Sequence, residues 1–300
     1  MIEFARSALA LTALSAAALY AAHAHACSCS GQGPASALTR PDQSWGVRGS
    51  ERVLAGYGEF DAHGRYTAFS DADHDRTLEY DLLAAVRIRR WELSAAASYG
   101  VRSVDIFGES GHGLGLGDTS LRARYEVFDQ PAFWQDGVYP ALALLAAVDF
   151  ATGHGAGIAP RGLGANELVL GANAERSFAE RWRAGLVLQG ALRMPDEALG
   201  VARQLGPRAS AEATLSYFAR SDLVLSALVS VRWEANVALR GQTQTGTAQR
   251  WSELGAAISW QPWTLPFRAG FAERYTPSLS ELGANTVALA TSELWLAYVR

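Results

Sequence analysis

Cysteine, lysine and long hydrophobic runs are rare or missing in this 300-residue sequence. Its two cysteines, Cys27 and Cys29, lie near the N-terminus, so no disulfide framework can hold the rest of the chain together. All 26 basic residues are arginine; they are balanced by 30 acidic residues and form no basic cluster, which argues against nucleic-acid binding. Beyond residue 22, no stretch approaches 18 uninterrupted apolar residues, so we expect no membrane-spanning helix in the mature chain.

The N-terminus has the three parts of a secretory signal peptide. Arg6 is followed by an apolar run over residues 8–22 and then by small residues spaced as A-x-A. This run has about 15 residues, fewer than the roughly 20 that a membrane-spanning helix needs. We therefore predict export, with residues 1–26 as the signal peptide and cleavage after Ala24 or Ala26.

Apolar and polar residues alternate along most of the remaining chain. In EYDLLAAVRIRR, which begins at Glu79, every second residue from Tyr80 to Ile88 is apolar, and this period of two predicts a β-strand. The segments have about 11–16 residues, longer than the usual strand, whereas a strand that crosses a bilayer needs about 9–11. About 12 segments show the pattern: 45–60, 77–89, 90–102, 116–128, 137–150, 164–177, 180–193, 208–219, 221–234, 249–261, 263–275 and 288–300.

The connections between these segments alternate in length. Those after the odd-numbered segments are long, and most of those after the even-numbered segments are tight, although DQPAFWQDG between the fourth and fifth is intermediate. Gram-negative outer-membrane barrels have long extracellular loops, short periplasmic turns and both termini in the periplasm. A β-sandwich gives no reason for such alternation. We therefore predict an all-β fold: a transmembrane, antiparallel, up-and-down β-barrel of about 12 strands over residues 45–300, preceded by a periplasmic leader over residues 27–44.

The two faces of the predicted strands differ in polarity. One face is apolar and carries aromatic residues near the segment ends, as a surface that contacts outer-membrane lipid and lipopolysaccharide would. The other face is charged, and burying so many unpaired ions would be prohibitive, so we expect it to line a polar lumen. The predicted lumen-facing residues are Glu79, Asp81, Arg87, Arg89, Glu92, Arg122, Arg124, Glu126, Arg183, Arg193, Glu212, Arg232, Glu253, Arg268 and Arg274.

The C-terminus departs from the usual pattern. Outer-membrane barrels commonly end in an aromatic residue that the barrel-assembly machinery reads. Here Trp295 and Tyr298 lie near the end, but Arg300 is last. Either Tyr298 serves as that signal, or a few residues are missing, or the barrel prediction is wrong.

Two stretches, GLGLGDTSLRARYEVF (113–128) and YPALALLAAVDFATG (139–153), resemble the outer-membrane transporter-like family named for the meta-pathway of phenol degradation. The resemblance implies a porin-like β-barrel suspected of passing small, often apolar or aromatic, compounds. Ala151 stands where the family usually has proline. The matching motif residues are Gly117, Asp118, Arg124, Tyr125, Pro140, Thr152 and Gly153. Asp118 also has a plain structural interpretation, since it can cap a turn.

The sequence gives little support for catalysis and implies no cofactor. Its mature histidines, His63, His74, His112 and His154, fall in predicted long loops, and no G-x-S-x-G motif is present. The glycine-rich GHGLGLGD does not follow a strand and open a helix, so it does not predict a phosphate-binding loop. We therefore expect that the protein is not an enzyme.

Two groups of residues could bind metal ions. Asp71, Asp73 and Asp75 present alternating carboxylates, which suit Ca²⁺ or a divalent bridge to lipopolysaccharide, although a solvated acidic turn gives the same pattern. Cys27 and Cys29 remain in the leader after cleavage, where they could form a disulfide, bind a soft metal such as Cu(I), or leave Cys27 to be lipidated.

Two functions stay open. The first is a channel or transporter-like barrel for small solutes, apolar or aromatic ones included. A 12-stranded barrel is intermediate between the side-chain-filled interior of eight strands and the open pore of 16–18. The second is a non-conducting barrel whose extracellular loops or N-terminal Cys/His tail bind a partner or a metal ion.

Overall fold

The structure is a computed structural model that describes residues 38–39, 43–106, 109–128, 140–153, 165–178, 181–198, 201–262, 264–279 and 281–300. The predicted signal peptide and the leader residues Cys27 and Cys29 lie outside these ranges. In the part of the chain that is described, no helix meets the length and apolarity of a membrane-spanning segment.

Twelve long strands form the fold, as predicted, and each overlaps the segment expected at its place in the chain. The first strand has the predicted bounds, 45–60. The strands are β1 (Trp45–Phe60), β2 (His74–Ile88), β3 (Trp91–Ile106), β4 (Thr119–Phe128), β5 (Ala141–Phe150), β6 (Glu167–Phe178), β7 (Trp182–Arg193), β8 (Arg208–Arg220), β9 (Leu223–Glu234), β10 (Gln249–Trp260), β11 (Phe267–Tyr275) and β12 (Thr286–Val299).

Each strand pairs antiparallel with its neighbours in the sequence, and the first and last strands close the sheet on itself. The closing ladder runs from Gly46 opposite Val299 to Phe60 opposite Thr286, with one register shift between Gly56 and Gly58. Closure leaves no edge among the twelve strands, so each can pair its backbone groups with neighbours on both sides. A bilayer requires this pairing because its interior offers no water to the backbone. The prediction of a closed antiparallel barrel is confirmed.

The two ends of the barrel differ, and we call them the turn end and the loop end. The turn end holds Trp45, Val299 and the tight connections, such as the one between Ile88 and Trp91. At the loop end, the long connections carry additional short strands. These are Tyr66–Ala68, Glu109–Leu116, Asp196–Ala198, Val201–Gln204, Ala238–Leu239 and Gln242–Thr243, the last four of which form a small separate sheet.

The outward face of the barrel is apolar. Leu82, Ile88 and Leu296 are more than half exposed, as expected for side chains that point away from the lumen. Aromatic rings pack against one another on this face at the turn end, where Trp91 and Tyr125 lie 4.8 Å apart between centroids. Similar pairs are Trp182 with Tyr217, Trp45 with Tyr298, and Phe267 with Tyr298. This is the position of an interfacial aromatic girdle.

Candidate functional site

The inward face of the barrel is the surface on which the charged residues meet. In the ladder between β2 and β3, Arg87 lies opposite Glu92, and both side chains are buried, whereas the flanking Ile88 and Trp91 are exposed. The same alternation places all but one of the predicted lumen residues inward. These are Glu79, Asp81, Arg87, Glu92, Arg122, Arg124, Glu126, Arg183, Arg193, Glu212, Arg232, Glu253, Arg268 and Arg274.

Arg89 is the exception, and its predicted lumen position is wrong. The strand β2 ends at Ile88, and Arg89 begins the tight turn with a positive φ of 56° and an exposed side chain. A side chain in a turn no longer follows the period of two, so continuing the alternation beyond Ile88 placed it on the wrong surface.

The inward face also contains charged residues that the sequence analysis did not select. Extending the same alternation along each strand would have identified them, since they occupy the positions between exposed apolar residues. They are Arg48, Arg52, Asp75, Arg102, Asp149, Glu167, Glu175, Arg208, Glu234 and Glu293.

At the loop end, four inward charged residues form a network across β6 to β9, which we call the loop-end network. The Arg193 guanidinium donates to Glu167 at 2.8 Å and to Glu234 at 2.6 Å, and Arg208 donates to the second oxygen of Glu167. The side chains of Glu167 and Arg193 are 0% and 2% exposed. Because both Glu167 oxygens face arginines, this buried charge is compensated.

Ion pairs in the lumen connect both consecutive strands and strands that are distant in the sequence. Arg52 donates to both oxygens of Asp81, at 2.8 and 3.1 Å, and Arg48 pairs with Glu293. A second group lies on other strands of the barrel, where Arg274 donates to Glu212 at 2.9 Å and approaches Glu253 at 3.9 Å. The strands β12, β1 and β2 thus present an ionic wall to the lumen.

The strands β5, β6 and β7 instead carry an apolar patch between their inward charged residues. Ala147, Val169 and Ala191 pack together on these three strands and are buried. Leu145 and Ala143 extend the same surface along β5 toward the turn end. The lumen is therefore amphipathic, with an apolar patch on β5 to β7 among its ionic groups.

The end of the predicted leader lies inside the lumen at the turn end, which the sequence analysis did not foresee. The Glu92 carboxylate accepts hydrogen bonds from the main-chain N–H groups of Leu38 at 3.1 Å and Thr39 at 2.8 Å. Arg268 donates to the Leu38 carbonyl at 3.0 Å, and Arg87 donates to the Thr39 carbonyl at 3.2 Å. Leu38 and Thr39 are 5% and 0% exposed.

An apolar contact completes this arrangement. Leu38 packs in a cluster with Ala85, Trp295 and Val299, and the Trp295 ring is turned into the lumen over Gly270. A Cβ atom on Gly270 would lie 2.5 Å from that ring, so the glycine is required for the tryptophan to occupy this place. We call Arg87, Glu92, Arg268 and Trp295 the N-terminal seat.

Four of the seven family-motif residues, Gly117, Asp118, Thr152 and Gly153, lie together where β4 and β5 meet at the loop end, outside the N-terminal seat. The Thr152 hydroxyl accepts from the Thr119 N–H at 2.9 Å and lies 3.1 Å from the Gly117 carbonyl, to which it donates. The Gly153 N–H donates to the Asp118 carboxylate at 3.1 Å. Tyr125 is separate from this contact, because it lies outward against Trp91. This contact joins the segment before β4 to the segment after β5. It supports the interpretation that Asp118 stabilises a turn.

The predicted carboxylate cluster in the first loop does not converge on one point. Asp71 is exposed in a turn, and Asp73 accepts hydrogen bonds from the main chain and hydroxyl of Ser70. Asp75 is the second residue of β2, where it turns inward and pairs with Arg102 at 2.7 Å. Asp71 and Asp73 lie in the turn before β2 begins at His74, whereas Asp75 lies within the strand, so these three residues do not form a cation site. Among the described residues, no group of three potential ligands lies together.

The first loop also contains a self-contained turn. The Asp61 carboxylate accepts hydrogen bonds from the main-chain N–H groups of Arg65 at 2.9 Å and His63 at 2.8 Å, and from the Arg65 guanidinium at 2.8 Å. These donors stabilise the ionised form, led by the Arg65 main chain, and lower the pKa of Asp61 to about 2.

Comparison with known proteins identifies the fold but not the family. The chain matches an outer-membrane channel from Pseudomonas putida F1 with a TM-score of 0.74 and 14% identity, covering 87% of this chain and 97% of that one. The fold is that of an outer-membrane β-barrel. The translocator domain of the autotransporter NalP from Neisseria meningitidis matches with a TM-score of 0.49 and 14% identity, over 87% of this chain and 90% of that one. No protein-family model and no curated protein matches the sequence.

Proposed function

We propose that this barrel is an outer-membrane channel for small amphipathic solutes and that its turn end, in the periplasm, is gated by the N-terminal segment. The observation that carries the proposal is the N-terminal seat. There, four wall residues from β2, β3, β11 and β12 hold Leu38 and Thr39 inside the lumen. A 12-stranded barrel has a wider interior than the eight-stranded barrel that side chains just fill. The segment therefore lies in the path that a solute would take.

The apolar patch on β5 to β7 and the ionic wall support an amphipathic solute. An apolar or aromatic body of the solute would remove its own surface from water by lying beside the patch of Ala147, Val169 and Leu145, whose side chains are themselves already buried. Polar groups of the same solute would face the ionic wall, where Arg48 and Arg52 lie. A purely apolar lining would favour an apolar solute, and a lining with one sign of charge would favour ions of the opposite sign.

We also propose that the chain belongs to the transporter-like family named for the meta-pathway of phenol degradation. The contact between Gly117-Asp118 and Thr152-Gly153 supports this, because the two motif stretches meet although more than 30 residues separate them. Outward aromatic residues at the turn end, such as Tyr298, would serve as the signal for the barrel-assembly machinery. The lipid-facing surface would contact lipopolysaccharide in the outer leaflet.

The proposal assigns no catalytic role to the lumen. His74, which was expected in a loop, begins β2 and lies 3.3 Å from the Ser103 hydroxyl. Both residues are on the outward side of the β2–β3 ladder, away from the path of a solute. They therefore do not form a nucleophile and base in the lumen.

The second candidate function is a non-conducting barrel that binds a partner through its loops. Burial of Leu38 and Thr39 in the lumen is the observation that favours it, since a permanently bound segment would act as a plug rather than a gate.

Single-channel recording in planar bilayers separates the two functions. We compare the chain that starts at residue 27 with a variant that starts at residue 43 and therefore lacks the seated segment. A channel is expected to give conductance steps, with larger steps or a higher open fraction for the shortened variant. Heat-modifiable migration on a gel shows that both variants are folded. Steps from the shortened variant alone would favour the plugged barrel, and the absence of steps from both folded variants would contradict the channel.

A further inference from the structure

Four inward residues on neighbouring strands form one row in the loop-end half of the lumen. Gln189 on β7 lies opposite Ser210 on β8, Ser210 opposite Arg232 on β9, and Arg232 opposite Trp251 on β10. Directly opposite residues of antiparallel strands have Cβ atoms about 4.5–5.5 Å apart. The four side chains, which we call the Arg232 row, therefore line one continuous strip of the wall.

Two side chains of this row have hydrogen-bond donors that find no acceptor among the residues that the structure describes. The buried Nε2 atom of Gln189 has no hydrogen-bond partner. The Arg232 guanidinium lies over the Trp251 ring, 4.6 Å from its centroid, and forms no ion pair within the described part of the chain. An unsatisfied buried donor such as the Gln189 amide is costly and rare in native proteins, and the half-buried Arg232 cation beside it lacks a carboxylate partner, so the row calls for an explanation.

The neighbouring rows cannot supply the missing acceptor, because their carboxylates are already bound. Toward the loop end, the two carboxylate oxygens of Glu234 each accept a hydrogen bond from Arg193. Toward the turn end, Glu253 accepts from the Ser230 hydroxyl at 3.0 Å and lies near Arg274. The Arg232 row therefore retains one positive charge between two rows whose charges are paired.

The side chains of the row leave a small cradle. Gln189 lies against Gly171 on β6, and Arg232 leans the opposite way over Trp251 on β10. The short Ser210 side chain forms the floor between them. On the β6 side, the cradle borders the apolar cluster that contains Val169 and Ala191. It thus combines donors, a positive charge and an adjacent apolar surface.

We propose that the Arg232 row binds the carboxylate of a small organic acid. The Arg232 guanidinium and the Gln189 amide would donate to the two carboxylate oxygens, and the apolar body of the acid would lie over Val169 and Ala191. A single carboxylate matches the single uncompensated charge of the row. This proposal rests on the proposed function, since it names the class of solute that the same lumen would take.

Calorimetry on the folded, full chain in detergent tests the site with two probes, benzoate and its neutral analogue benzyl alcohol. Benzoate is expected to bind at least about tenfold more tightly, because hydrogen bonds to charged groups are the stronger ones. Arg232→Gln should remove most of that preference, and Gln189→Leu should reduce it less. Arg122→Gln is the matched control. Arg122 is also inward and without an ion pair among the described residues, but it lies on β4, outside the row.

The outcomes separate this inference from the channel itself. Equal binding of the two probes, or an equal loss in Arg122→Gln and Arg232→Gln, would overturn the site. Heat-modifiable migration excludes misfolding of each variant. Because binding is measured without transport, a barrel that never conducts can still show the site. A barrel that conducts but does not prefer benzoate contradicts only the inference about the site.

Discussion

The two ends of the lumen use buried arginines in different ways. At the loop end, Arg193 and Arg208 donate to carboxylates of neighbouring strands and brace the wall. At the turn end, Arg268 donates to the main-chain carbonyl of Leu38, in a segment that precedes the first strand. A strand of the wall cannot leave without opening the barrel, but a seated segment can. The loop-end network therefore serves stability, whereas the N-terminal seat suits a movable element.

The largest effect is expected at the loop-end network. Glu167→Ala leaves Arg193 and Arg208 without their shared carboxylate in a site where the glutamate is 0% exposed. Breaking a buried pair from one side leaves an uncompensated charge, and we expect a loss of about 3 kcal/mol in the free energy of unfolding. Urea unfolding of the refolded barrel in lipid vesicles measures it.

Glu79→Ala is the control for this change. Its ion pair with Arg52 is longer, 3.3 Å, and both side chains are more exposed, at 17% and 31%. Arg52 also keeps its contact with Asp81. The expected loss is under about 1 kcal/mol. Equal losses in the two variants would contradict the assignment of a bracing role to the loop-end network.

The next effect is expected at the N-terminal seat. Glu92→Ala removes the acceptor of the Leu38 and Thr39 N–H groups. Hydrogen bonds to a charged group contribute roughly 1.5–3 kcal/mol each, so these two amides should exchange with solvent at least about tenfold faster. Hydrogen exchange followed by NMR measures both amides.

The matched control at the turn end is Glu175→Ala. Glu175 is also inward, but it accepts from Asn173 and Arg183 rather than from the segment. Its removal should leave the exchange of Leu38 and Thr39 unchanged. A comparable acceleration in both variants would mean that the segment responds to general loosening of the barrel and is not held by Glu92.

The smallest effect is expected in the first loop, outside either network. Asp61 has a pKa of about 2 in the folded chain, below its ordinary value of 3.8. A lowered folded pKa means that the stabilising contacts are fully present above the ordinary pKa and are lost as the pH falls through about 2. A carboxyl ¹³C titration should show this midpoint for a signal that is missing in Asp61→Asn. A midpoint near 4 would show that the turn does not hold Asp61.

The strands could be predicted because their signal is local. Every second residue from Tyr80 to Ile88 is apolar along a single strand, and the charged residues lie only between these positions, so the inward position of Glu79 and Asp81 follows without knowledge of any other strand. The same local rule misplaced Arg89, since only the observed turn shows where the alternation stops. It also could not detect that Asp73 and Asp75, so close in the sequence, point to different surroundings.

The sequence by itself determined the barrel, the number of its strands and the polarity of its two faces, because alternation and loop length are properties of short segments. Only the tertiary structure decided which inward charges meet. Arg48 and Glu293 pair although 245 residues separate them, and their contact depends on the register with which β12 closes on β1. The same closure brings Trp295 and Arg268 to Leu38. Sites that are assembled from distant strands leave no periodic signal in the sequence, since register is set by the whole closed sheet.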